Sequence, residues 1–211
     1  TEVALGDDDG TGPISMGFTF NFIGNDYTDI YISSNGYLTF DPADVTDLSD
    51  DAIPDPNMPN DIIAVAWDDL DPGNGGQPAM NVVRYSIEGT SPNQIFVVEY
   101  FNVDQFPSGN NVTTQAQLYE GTNVIEIHTT AKPDDGGPST QGLENFDGSD
   151  GIATPGRNNM NWDITNDFVS FTPNTSGGPN EWTVTVEDLS GNFGDEVTWE
   201  LRDNTAAVIL S

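Results

Sequence analysis

Apolar and polar residues alternate along this chain in short runs. Phe18, Phe20 and Phe22 share one face, with Thr19 and Asn21 on the other. That period of two predicts a strand with one buried side. Ile30-Tyr31-Ile32 and Tyr37-Leu38-Thr39-Phe40 flank Ser33-Ser34-Asn35-Gly36, where Asn-Gly predicts a tight turn. Ile62 to Trp67 is almost wholly apolar, the pattern of a strand covered on both faces. Val82 to Ile87, Ile95 to Val103, Val112 to Tyr119, Val124 to Thr129 and Phe168 to Phe171 follow at the spacing of a sandwich. Prolines from Pro13 to Pro155 read as falling between these runs, where a missing N–H does no harm. No segment sustains a helical period. The expectation is an all-β chain, an antiparallel, jelly-roll-like β-sandwich over residues 1–173.

A break follows. Pro173-Asn174-Thr175-Ser176-Gly177-Gly178-Pro179 has linker composition, which assigns residues 174–180 to a Gly/Pro linker. Beyond it, Trp182, Val184 and Val186, then Val197, Trp199 and Leu201, alternate with polar residues as in a short β-hairpin, and a last run lies near Ala206 to Leu210. About thirty residues cannot bury their own apolar face. Residues 181–211 are therefore expected to pack on the sandwich, or to add strands to a neighbouring chain.

Charge narrows the partners. The 211 residues carry 35 carboxylates against four Lys and Arg, a net charge of −31. Nucleic acid is excluded, because phosphate contacts need a basic footprint, and membrane insertion is not expected because no apolar run approaches a span. Divalent-cation sites and a saline habitat both account for such acidity, and both stay open. Cysteine is missing, which removes disulfides, thiol nucleophiles and Cys-ligated zinc. The chain begins at Thr1 without a leader and reads as a processed or excised segment whose export signal lies upstream.

Candidate chemistry is sparse. His128, the single histidine, shares the outer face of its strand with Glu126, and no Gly-x-Ser-x-Gly elbow accompanies it. Catalysis is not expected. Calcium is the expected cofactor, since closely spaced Asp and Asn on turns supply the six to eight oxygens that Ca²⁺ takes. Asp68, Asp69, Asp71 and Asn74 form the leading cluster, because it starts where a buried strand ends. Asp7, Asp8 and Asp9 form a second cluster, and Asp147 with Asp150 a third. For each, an ordinary solvated acidic loop is the alternative. Trp67, Trp182 and Trp199 sit at core positions, but Trp162 lies in the polar stretch Asn158 to Asp163. With Asn159 and Asn161 it is the candidate ligand-binding residue, and the loops 134–137 and 156–163 are the expected recognition loops.

Gly17-Phe18-Thr19-Phe20-Asn21-Phe22, Ile30 to Phe40, Ile62-Ile63-Ala64 with Trp67-Asp68-Asp69-Leu70, Phe96 to Tyr100, Gln117 to Glu120 and Gln141 to Gly148 occur in that order. Over residues 14–173 the sequence resembles the nidogen-like extracellular domain of secreted bacterial multidomain surface proteins. The tail resembles the opening of a further β module of Bacteroidetes-type secreted proteins. The resemblance implies an extracellular β-sandwich of adhesion or matrix assembly without catalytic residues. Two readings follow: a cell-surface module for adhesion or ligand binding whose partner is an extracellular protein or glycan, or a filament or sheath subunit that self-associates through its C-terminal strands.

Overall fold

The computed structural model describes residues 1–43, 45–73, 81–174 and 181–187, and the backbone of 188 and 197–200. In chain order the strands are β1 (Glu2–Val3), β2 (Gly10–Phe22), β3 (Asn25–Ser33), β4 (Tyr37–Thr39), β5 (Ile62–Trp67), β6 (Leu70–Asp71), β7 (Val82–Glu88) and β8 (Ile95–Gln105). Then come β9 (Asn111–Tyr119), β10 (Ile125–Lys132), β11 (Thr140–Glu144), β12 (Gly151–Ala153), β13 (Ile164–Pro173), β14 (Trp182–Asp188) and β15 (Val197–Glu200). No helix occurs among the described residues, so none there is long and apolar enough to cross a membrane.

The strands form two antiparallel sheets. The larger has the order β1-β7-β8-β9-β10-β13-β14-β15, with β6 also on β8, and the smaller has the order β12-β11-β5-β4-β3-β2. The inward residues of both form one core. Met16, Phe20 and Phe22 of β2, Ile30 and Ile32 of β3 and Ile63 and Val65 of β5 meet Phe96, Val98, Ala116, Leu118, Ile125, Ile127, Val169 and Phe171 of the facing sheet. The expected all-β sandwich is the fold.

β5 is buried along its whole length. Ile63 and Val65 point into the sandwich, while Ile62, Ala64 and Trp67 form a second, smaller cluster with Tyr37 and Ile53. The segment between β4 and β5 thus covers the outer face of the smaller sheet. The Asn-Gly turn is also as expected. Gly36 has φ +74°, and a Cβ there would lie 2.2 Å from the Ala66 carbonyl oxygen.

Three features differ from the sequence reading. Pro13 lies inside β2 rather than between strands; β2 is an edge strand whose register against β3 shifts between Thr11 and Ile14, so no ladder bond is lost. β11 was hidden by its mixed composition (Thr-Gln-Gly-Leu-Glu), yet every residue of it is buried. Leu70–Asp71, within the acidic stretch that begins at Asp68, pairs as a short strand with Gln105 and Asp104 of β8.

Beyond the linker stretch, of which 175–180 lie outside the described residues, β14 pairs with β13 from Pro173↔Trp182 to Asp167↔Asp188. The Asn174 N–H donates to the Glu181 carbonyl (2.7 Å). Trp182 and Val184 enter the core, with the Trp182 ring 6.4 Å from that of Phe22. β15 pairs with β14 through Val186↔Val197. The run at 206–210 lies outside the described residues.

Candidate functional site: an acidic cleft beside a carboxylate cluster

Asn35 organises the region. It occupies the β3–β4 turn and is fully buried. Its Oδ1 accepts the Leu70 N–H (3.0 Å), and its Nδ2 donates to the Asp8 carboxylate and to the Asp47 carbonyl (both 3.1 Å). One amide therefore ties the N-terminal segment to the β5–β6 connection. Ser34 assists: its backbone N–H donates to the Asp9 carbonyl (2.8 Å) and its hydroxyl accepts the Asp9 N–H (2.9 Å).

The outcome is that two clusters read as separate in sequence converge. Carboxylate oxygens of Asp7, Asp8 and Asp69 lie within 4.8 Å of one another. Loss of hydration and the charges of Asp8, Asp7, Asp68 and Asp71 push Asp69 up to about 6. Burial, then Asp71 and Asp8, raise Asp7. Asp71 is near enough to act on both, and its Oδ1 is buried without a hydrogen-bond partner among the described residues. Asp9 does not join the group: its carboxylate accepts the N–H groups of Gly6 and Gly10. Asn74 lies outside the described residues.

Asp68 does not belong to this cluster, contrary to expectation. It is 4% exposed and turned inward. Its Oδ1 accepts the Asp69 N–H (2.9 Å) and its Oδ2 accepts from Gln105 Nε2 (3.0 Å). The same Oδ2 lies 3.2 Å from Nζ of Lys132, whose side chain is wholly buried. Strand alternation places Asp68 one step past the end of β5, on the side that faces β10.

A cleft of about 510 Å³ opens above this pair. Asp50, Asp68, Asp69 and Asp135 give it an acidic wall, and Leu48 and Phe106 stand at its mouth, 43% and 55% exposed. Gly136, Gly137 and Pro138 also line it, next to Asp135. Burial, reinforced by Asp68, pushes Asp50 up to about 7. Sequence alone gave no sign of Asp50, Phe106 or Leu48, because they lie on three segments that only the fold assembles.

The second recognition loop is corrected in its main residue. Trp162 is 8% exposed and belongs to the core, so it has no free face for a ligand. Its indole N–H donates to the Ser139 carbonyl (3.2 Å), and both Lys132 Nζ (4.9 Å) and the Arg157 guanidinium (5.0 Å) lie over its ring. The chain around it is polar because it supplies turn contacts. Asn158 exchanges hydrogen bonds with the backbone of Ile53, and the Asn159 N–H donates to Thr140. Asn159 and Asn161 do stand in solvent. Arg157 is itself buried and bonded to Asp167 (2.5 Å) and Gln141 (2.7 Å). Two of the four basic residues of a strongly acidic chain thus serve inside it.

Asp147 and Asp150 are not gathered into a cluster. Asp147 accepts from the backbone N–H (3.2 Å) and hydroxyl (2.5 Å) of Ser149, which lower it, and Asp150 donates its N–H to Asn145. His128 sits on the outer face 3.1 Å from Glu126, as its strand position required.

No curated protein sequence and no solved structure matches the chain significantly. A family model described as NIDO related matches residues 1–183, from the N-terminal segment through the sandwich to the start of β14. The chain belongs to this nidogen-related family, a membership that points to an extracellular, non-enzymatic module.

Proposed function

We propose that this domain is a cell-surface binding module, and that its partner docks in the cleft between Leu48, Asp69, Phe106 and Asp135. The carrying observation is the composition of that cleft: the carboxylates of Asp50, Asp69 and Asp135 around a concave wall with an exposed Phe and Leu at its mouth. Asp50 and Asp69, held above their usual range by loss of hydration and neighbouring carboxylates, gain from a cation, and the apolar rim gains from an aliphatic or aromatic side chain. The matching partner is an extracellular protein segment that presents Lys or Arg next to an apolar residue. Nuclear magnetic resonance titration with Ac-Lys-Leu-Lys-NH₂ tests this. Saturable shifts centred on Leu48, Phe106 and Gly136, missing with Ac-Glu-Leu-Glu-NH₂, are expected. Equal responses to both peptides, or shifts elsewhere, refute it.

Calcium belongs to the same reading, at Asp7, Asp8 and Asp69 rather than at the linear cluster. Three carboxylates from segments some sixty residues apart are held together, and a bound cation would relieve their repulsion and fix the N-terminal segment. Ligand that binds only the native state stabilises it by RT ln(1 + [L]/Kd), about 2.7 kcal/mol at a hundredfold excess over Kd. Thermal melts with Ca²⁺ and with chelator at equal ionic strength should differ, and the difference should shrink in Asp69→Asn. Identical melting temperatures exclude the site. The in-chain pairing of β14 with β13 favours a self-contained module over a filament built by donating that strand.

A further inference from the structure

Lys132 is an anomaly as an ammonium. Its side chain is completely buried, at the end of β10 in the larger sheet. An ammonium carries three donors, yet among the described residues Nζ faces a single acceptor, Asp68 Oδ2 at 3.2 Å, and otherwise the Trp162 ring, whose centroid is 4.9 Å away. A buried charge normally persists only when it is paired and fully hydrogen-bonded. An amide nitrogen at the same place would have one donor and no charge.

The carboxyl partner is placed for condensation. Asp68 follows β5 of the opposite sheet, and both its oxygens are already polarised, Oδ1 by the Asp69 N–H and Oδ2 by Gln105. Asp50 lines the cleft beside Asp68, close enough for the charges of Asp68 and Lys132 to act on it, and its Oδ2 is buried without a partner among the described residues. The chain has no cysteine with which to join its sheets.

We propose that Lys132 and Asp68 join spontaneously in an intramolecular isopeptide bond, with Asp50 as the proton shuttle. The ammonium passes a proton across the 3.2 Å contact to Asp68 Oδ2, giving a neutral amine and acid. The Nζ lone pair attacks Cγ while Oδ1 takes up charge against the Asp69 N–H. Asp50 gives its proton to Oδ2, which leaves as water, and regains one from Nζ. One C–N bond forms, one C–O bond breaks, and one water departs through the cleft; no oxidant or reductant takes part. Amide formation is disfavoured between dilute groups in water, but held reactants reach effective molarities of about 10⁵–10⁸ M. The product fastens β10 to the end of β5, one sheet to the other.

Intact mass spectrometry of the purified, denatured chain decides this. The mass should lie one water, about 18 Da, below that of the sequence, and digestion with a Glu-directed endoprotease should release a branched peptide containing Lys132 and Asp68. Lys132→Met and Asp50→Ala should both keep the full mass, with circular dichroism reporting whether each retains the β fold; Asp50→Asn replaces Asp50→Ala if that variant does not fold. Wild-type chain at full mass overturns the proposal. So does a loss that persists in Lys132→Met, which would mark cyclisation at an Asp-Gly pair such as Asp147-Gly148. Bond formation in folded Asp50→Ala or Asp50→Asn would overturn the shuttle role.

Discussion

Replacing Trp162 by Ala should unfold this domain more readily than almost any other loop substitution. The indole is 8% exposed, packs on the Arg157 guanidinium at 5.0 Å and donates to the Ser139 carbonyl. A buried Trp removes roughly 200 Å² from water, which at ~25 cal/mol/Å² corresponds to about 5 kcal/mol, of which Ala recovers a small part. Trp-to-Ala changes in protein cores cost about 3–5 kcal/mol, and the two figures agree. Trp162→Phe keeps most of the packing but removes one of the two donors to the Ser139 carbonyl, which retains the Met160 N–H (3.3 Å), a loss of about 0.5–1.5 kcal/mol. Urea denaturation at pH 7 measures both, with the m-value checking that the unfolded state is unchanged. The order wild type, Phe, Ala is expected. A loss below about 1 kcal/mol for Ala would mean that the ring is not part of the core, and the placement of the whole 156–163 loop would fall with it.

Three further outcomes follow from the same packing. Gly36→Ala should be severely destabilising, since the residue sits at φ +74° and the new methyl would press on the Ala66 carbonyl; left-handed strain alone costs about 1–3 kcal/mol, and an unchanged urea midpoint would refute the turn geometry. Truncation after Asn174 removes Trp182 and Val184 from the core and exposes the edge of β13; a less stable or aggregating chain is expected by size-exclusion chromatography and urea titration, and a stable monomer would show that β14 is dispensable. Burial raises Asp61 to about 6 and Glu144 to about 7, so the folded state binds more protons than the unfolded state between their ordinary values near 4 and those limits. Their contribution is therefore complete at the acid side of this window and is lost as pH rises through it. At fixed ionic strength the urea midpoint should be higher at pH 5 than at pH 8, and the opposite slope would contradict their burial.

The alternation of apolar residues was enough to determine the sandwich. Phe18, Phe20 and Phe22, the continuous run of β5 and the Asn35-Gly36 turn express local rules, because a strand's two faces and a turn's φ are set by neighbours in sequence. The acidic clusters were equally visible, as was the outward position of His128. What the sequence could not hold is which distant segments meet. Asp7 and Asp8 join Asp69 because a buried Asn35 clamps both stretches, and Asp68 departs from its neighbours because it is the first residue past β5 and faces Lys132. Trp162 looked exposed among asparagines, yet Arg157 and the Ser139 carbonyl cover it. Burial of a loop residue is a property of what folds over it, and those contacts span separations that no local pattern encodes. Solvation acts in the same way: a carboxylate in sequence is one of 35 alike, and only the enclosing fold makes Asp50, Asp68 and Asp69 differ from the rest.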